Sequence, residues 1–144
     1  MKVLLDTNVI LDVLIGRKPY VESSSALLKL CGAHITGLIT ASQTTDIFYI
    51  LRREGKNIDD AKNVIRKLSD HIKIIDVIAA DVKAALDSDM QDYEDALLAF
   101  NGKRNKVDYI ITRNETDYVK SPVQALSPIA FLEKFFRQIK DTIN

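Results

Sequence analysis

The sequence is short of everything that staples, spans or acts at long range. It holds one cysteine, Cys31, in 144 residues, so no internal disulfide can form, and a lone thiol fits a reducing compartment. Two histidines beside that cysteine are poor material for a zinc site, which is built mainly from imidazole and thiolate. No apolar stretch approaches the ~18 residues needed to cross a bilayer. The opening Met1-Lys2-Val3-Leu4-Leu5 meets Asp6 too early for a secretion signal. These absences set the expectation of a cytoplasmic protein without a membrane anchor. Charge of one sign is also lacking: Lys plus Arg and Asp plus Glu number 20 each. Net charge therefore argues neither for nor against a nucleic-acid partner, and any such surface must be local. Linkers, repeats and low-complexity tracts are missing too, which points to one domain over residues 1–144.

What remains is an ordinary globular composition, 47% hydrophobic and 28% charged. Val3–Leu5 is a short apolar run with no face pattern, as expected of a strand buried on both sides. Val9–Ile15 reads as a short helix stopped by Gly16, and Tyr20–Leu30 as a second, stopped by Gly32. Ile35–Ile39 is a second strand. Thr40 or Ser42 caps a helix reaching about Arg53, closed by Gly55. Helices over Ile58–Leu68, Ala79–Leu86 and Tyr93–Asn105 alternate with strands over Ile72–Val77 and Tyr109–Ile111. Val123–Leu126 is a fifth strand. Ser127 and Pro128 open a last helix with an apolar stripe of Leu132, Phe135, Phe136 and Ile139. The three phenylalanines Phe131, Phe135 and Phe136 belong to the core or partly to a dimer face. Alternation of this kind predicts an α/β fold, a parallel sheet of about five strands sandwiched between helices.

In such sheets ligands sit beyond the carboxyl ends of the strands, where strand order reverses. Two polar clusters stand at such ends: Asp6-Thr7-Asn8, and Thr112-Arg113-Asn114 followed by Asp117. Helices add Asp46, and Asp92 with Asp95, three residues apart near a helix start and hence on one side of it. Two carboxylates ~5 Å apart repel by roughly 3 kcal/mol at an effective dielectric of ~20. A cluster of three or four therefore calls for protons or a cation. Oxygen-only donors suit Mg²⁺ or Mn²⁺, and a divalent ion so held activates water and neutralises charge at a phosphoryl centre. The reaction class this favours is phosphodiester hydrolysis.

At single positions milder readings stand beside that one. Asp6 can cap the following helix, Asp92 can cap its own, and Asp12 reads as a solvated or supporting acid. Thr7, Asn8 and Thr112 are candidates to orient carboxylates. Arg52, Arg53 and Lys56 cluster at one helix end, with Lys103, Arg104, Lys106 and Arg113 near the fourth strand; such groups can contact phosphates or simply be solvated. His34 and His71 read as surface residues and Cys31 as core.

Several stretches together resemble the PIN-domain family. Leu4-Leu5-Asp6-Thr7-Asn8-Val9-Ile10-Leu11-Asp12 is similar to its opening motif, and Ser42-Gln43-Thr44-Thr45-Asp46-Ile47 to its second acidic motif. Asp92-Tyr93-Glu94-Asp95-Ala96 resembles the third and Ile110-Ile111-Thr112-Arg113-Asn114 with Asp117-Tyr118 the fourth, while Leu126-Ser127-Pro128 matches the lead into the last helix. The resemblance runs through the whole chain in order. It implies a Mg²⁺- or Mn²⁺-dependent ribonuclease of the VapC toxin type, with a small antitoxin protein as partner and a homodimer as assembly. It implies Asp6, Asp46 and Asp95 as metal ligands and catalytic core with Asp117, supported by Asn114, Thr112, Asp92, Asn8 and Thr7. RNA contacts would fall to Arg113, Arg52 and Arg53. Two positions depart from the pattern: Asp46 stands where Glu is usual, and Asn114 where many members have Asp. They keep open a catalytically silent module that binds RNA or a partner. A haloacid-dehalogenase-type phosphatase is disfavoured because the second acid it needs is Asn8 here, and a response-regulator receiver lacks its acidic pair.

Overall fold

The computed structural model describes residues 1–144. The first apolar run is strand β1, Lys2–Leu5, and extended Asp6 hands the chain to helix α1, Thr7–Ile15. That helix begins two residues before its apolar spacing does, because Thr7 and Asn8 form its first turn. Gly16 ends it with φ 73°, a left-handed conformation that costs glycine little. Helix α2, Val21–Leu30, and strand β2, Thr36–Thr40, follow. Of the two caps open to the next helix, Thr40 is used. The Gln43 N–H donates to the Thr40 hydroxyl, and the Thr40 N–H donates to Gln43 Oε1 at 2.7 Å, a reciprocal capping box.

Helix α3 then runs Ala41–Arg53 and α4 Ile58–Ser69, before strand β3, Lys73–Ile75. Helices α5, Ala79–Leu86, and α6, Tyr93–Arg104, lead to strand β4, Tyr109–Ile111. A 3-10 turn over Glu115–Tyr118, unannounced by any periodicity, precedes β5, which is only Ala125–Leu126. Helix α7, Pro128–Ile143, is opened by the Ser127 side chain as expected.

All strand pairings are parallel, in the order β3-β2-β1-β4-β5. Central β1 alternates its side chains between two cores. Val3 and Leu5 join residues of α1 to α4 and α7 on one face; Leu4 joins Leu98 and Ala99 of α6 on the other, with α5 packed outside α6. The molecule is thus a three-layer α/β domain, its sheet covered on both faces. The stripe expected on α7 is shifted: Phe131 is the fully buried ring, Leu132 and Phe135 are half-buried, and Phe136 and Ile139 are exposed. The helix lies along the sheet margin with only one edge of its apolar face covered.

From β1 the chain turns to β2 and β3 on one side and to β4 and β5 on the other. Strand order therefore reverses between β1 and β4. The Asp6 N–H donates to the Ile111 carbonyl at 2.9 Å, so both polar strand ends open into one crevice.

Candidate metal centre

Asp6 is the first residue past β1. Its side chain makes no capping bond in α1; Oδ2 instead accepts from the Thr112 hydroxyl at 2.8 Å, across 106 residues of sequence. Burial holds its carboxyl above the usual range, opposed by that hydrogen bond and by the backbone N–H groups of Asn8 and Thr7. Thr112 is fully buried behind Asp6, and its oxygen in turn accepts from the Asn114 N–H at 3.1 Å.

On the other flank, Gln43 Nε2 donates to the Leu5 carbonyl at 2.8 Å and to the Thr7 hydroxyl at 3.1 Å, tying the start of α3 to the end of β1. Asp46 stands three residues on from Gln43 and so shares its side of α3. The start of α6 supplies the rest. Asp92 caps it, Oδ1 accepting from the Asp95 N–H at 2.9 Å, so the capping reading holds for this residue while it also lines the cleft. Asp95 Oδ1 accepts from the Tyr118 hydroxyl at 3.1 Å. Partial burial, then the neighbouring Asp92, push its carboxyl up to about 6. Ala96 and Ala99 are fully buried beneath it, which lets this helix approach the sheet closely.

These groups meet around one cleft of about 430 Å³. Its walls carry Asp6, Thr7, Asn8, Asp46, Asp92, Asp95, Asn114 and Asp117. Both Asn114 and Asp117 face it, so the two candidates for the fourth position share the site. Sequence reasoning passed over three other contributors. Glu94 lines the cleft and a narrower recess beside Asp6, Asp46 and Asp95; its carboxyl is raised by partial burial and then by Asp46. Gln43 and Tyr118 position their neighbours, and only the capping-box spacing of Gln43 was a readable signal.

The cations divide. Arg53 lines the cleft, whereas Arg52 is turned to the Lys56 carbonyl. Arg113 faces away: its Nε is 3.0 Å from Asp12 Oδ2, and its guanidinium lies 4.1 Å from the centre of the Tyr20 ring. Asp12 is not solvated; it is fully buried, and burial raises its carboxyl against the pull of Arg113 and Arg17. Arg17 lies 3.8 Å from it and donates to Asn8 Oδ1 at 3.3 Å, so this buried acid steadies a cleft residue through an arginine.

Six carboxylates line the cleft, those of Asp6, Asp46, Asp92, Glu94, Asp95 and Asp117, against the single cation Arg53. The donors are all hard oxygens, and neither histidine nor Cys31 is among them, so the set fits a divalent Mg²⁺- or Mn²⁺-like ion and not zinc. No three of these side chains are grouped tightly enough to grip an ion as they stand. The site is an acid-lined cleft, not a preformed cage.

A parallel α/β sheet with an acidic crevice at its switch point is the class of protein that fold and cleft define. The PIN-domain family profile matches residues 2–116, and the chain belongs to that family. Comparison with curated proteins gives no match by sequence. Similar solved structures include a toxin–antitoxin complex from Klebsiella pneumoniae, 18% identical over 88% of this chain and 97% of that one, TM-score 0.67. DNA-bound VapBC from Salmonella typhimurium is 15% identical over 89% and 98%, TM-score 0.64. A sarcin-ricin loop cleaving VapC toxin from Mycobacterium tuberculosis is 12% identical over 75% and 86%, TM-score 0.59. At such identities the likeness speaks for the fold. No helix is long and apolar enough to cross a membrane.

Proposed function

We propose that this protein is a divalent-metal-dependent endoribonuclease and the toxin of a toxin–antitoxin pair. The observation that carries the reading is the convergence of Asp6, Asp46 and Asp95, from a strand end and two separate helices, on one cleft at the switch point. In this reading Asp6, Asp95 and Asp46 hold a Mg²⁺ or Mn²⁺ ion, with Asp117 or Asn114 completing the set. The ion supplies water activation and charge neutralisation at the scissile phosphodiester.

The chain's own residues do the positioning. Thr112 and Tyr118 each hold one carboxylate oxygen, of Asp6 and Asp95, and thereby turn the other toward the cleft. Glu94, beside Asp46, adds a carboxylate at the corner where Asp46 is one methylene shorter than the usual Glu. Arg53 offers the phosphate its one cation inside the cleft. An antitoxin as partner is supported by the toxin–antitoxin complexes among the similar folds. Pairing of two copies is supported by the exposed Ile129, Phe136, Ile139 and Ile143 on α7.

The test is cleavage of structured and unstructured RNA with Mg²⁺, Mn²⁺ or EDTA, beside Asp6→Asn. The expected outcome is cleavage that needs the metal and is lost in the variant. The loosely grouped acids favour the second reading, a silent binding module. Metal bound by a folded wild-type protein that cuts none of these RNAs would favour that module or a nuclease of very narrow substrate.

A further inference from the structure

An acid-lined cleft repels the polyanion it is proposed to cut. Inside it, six carboxylates oppose one arginine, and a bound divalent ion offsets only part of that excess. Affinity for a nucleic-acid strand must therefore come from groups just outside the acids. Arg53, near the C-terminal end of α3, occupies one side. A second hollow of about 220 Å³, between the start of α6 and the 3-10 turn, shares Asp92 and Asp117 with the cleft. Its other walls are Met90, Gln91, Thr116, Val119 and Lys120.

The chemistry of this hollow differs from that of the cleft it continues. Most of its exposed lining is apolar, supplied by Met90 and Val119 and the carbon stems beside them. Val119 is 79% exposed, contributing almost nothing to either core. Gln91 and Thr116 bring an amide and a hydroxyl. Lys120 makes no ion pair within the chain, so its charge is free for a ligand. Apolar walls for a flat ring, an amide to read its edge and an unpaired ammonium for its phosphate are what one nucleotide requires.

We infer that the Met90–Gln91–Val119–Lys120 hollow is a nucleotide subsite. It seats the base flanking the scissile bond of single-stranded RNA, with Lys120 on the adjoining phosphate. The strand then runs from Arg53, over the acids, to Lys120. The inference rests on the nuclease reading for its ligand class, but it is tested by binding alone.

The experiment titrates a short fluorescent single-stranded oligoribonucleotide onto the Asp6→Asn protein, which keeps RNA intact, across a salt series. Lys120→Gln is expected to weaken binding and to lower the slope of log K against log salt by about 0.7, one phosphate contact on a single strand. Val119→Asp is expected to weaken binding several-fold. Val119→Ser should do so more mildly, with the slope unchanged. Lys62→Gln, on the exposed face of α4, is the control and should alter neither. All three of these sites are exposed, so folding is not at stake. A slope and affinity indifferent to Lys120 and Val119 would overturn the subsite even if the wild-type protein cuts RNA. Loss of binding in these variants would uphold it even if cleavage were never found. Binding of a protein partner that these variants abolish, with RNA binding intact, would reassign the hollow and also overturn it.

Discussion

Asp6 and Asp95 are held by the same device, a buried hydroxyl donor on one carboxylate oxygen, reached from residues 112 and 118. Thr112→Val and Tyr118→Phe delete those donors while nearly keeping shape. Each is expected to weaken Mn²⁺ binding about tenfold or more, as losing a ligand's outer hydrogen bond commonly does. Titration followed by electron paramagnetic resonance reads this without any RNA, and an unaltered affinity would reduce both hydroxyls to packing. At this scale the sequence was legible where an acid stands at a strand end or a helix start, as Asp6, Asp92 and Asp95 do. It was illegible at Glu94, because neighbours on a helix point about 100° apart and Asp95 had already claimed the inward direction. Tyr118 was read only as a trailing motif residue, since nothing in its surroundings signals the 3-10 turn that aims its hydroxyl. Asp12 misled for another reason: its apolar neighbours Val9, Ile10 and Leu11 are all fully buried, and an acid beside such a run has arginines for company and not water.

Among the elements, α6 with its cap Asp92 carries three of the six acids of the cleft, and its approach to the sheet depends on small residues. A Cβ on Gly102 would stand 3.0 Å from Val107 and 3.2 Å from Leu4, both side-chain ends. Gly102→Ala therefore gains up to about 1 kcal/mol in helix propensity against an overpacking cost of about 1–3 kcal/mol. The expected net is a modest loss of stability by denaturant titration. Mn²⁺ affinity should be nearly untouched, since Asp95 lies about two turns away. A large fall in metal affinity would instead mean that the helix moves as a rod. Helix α6 is further pinned by Asp81 of α5, whose buried carboxylate accepts from Asn101 Nδ2 and from Arg104 Nε. Element boundaries read from sequence held within about two residues where caps exist. They slipped most at the short edge strands: β3 stops two residues before Val77, and at β5 Val123 and Gln124 approach the sheet without joining the strand, because two or three residues leave no period to detect.

For the whole molecule, acidity and metal pull on stability in opposite senses. Asp6, Glu94 and Asp95 have folded-state carboxyls raised above their unfolded values, Asp95 to about 6. The folded protein thus keeps protons that the unfolded chain has released, so these groups weaken the fold above about pH 6 and the penalty fades as pH falls below it. Asp81 is the reverse case: despite burial, hydrogen bonds led by Arg104 hold it low, so its stabilising share is lost only when pH falls through a value below 3.8. With chelator present, the melting temperature should rise from about pH 7 to about pH 5 and fall again in stronger acid. Saturating Mn²⁺ should raise it near pH 7 and do little near pH 5, where protons compete for the same oxygens. A metal effect equally large at both values would place the ion elsewhere.

The bond between Asp6 and Thr112 also has a bearing on timing. Asp6 is made among the first residues of the chain, yet the partners that orient it and Asp95 are residues 112 and 118, and β4 cannot dock beside β1 until both have been synthesised. During translation the nascent chain therefore carries Asp6 without its orienting hydroxyl across the 106 residues that separate it from Thr112.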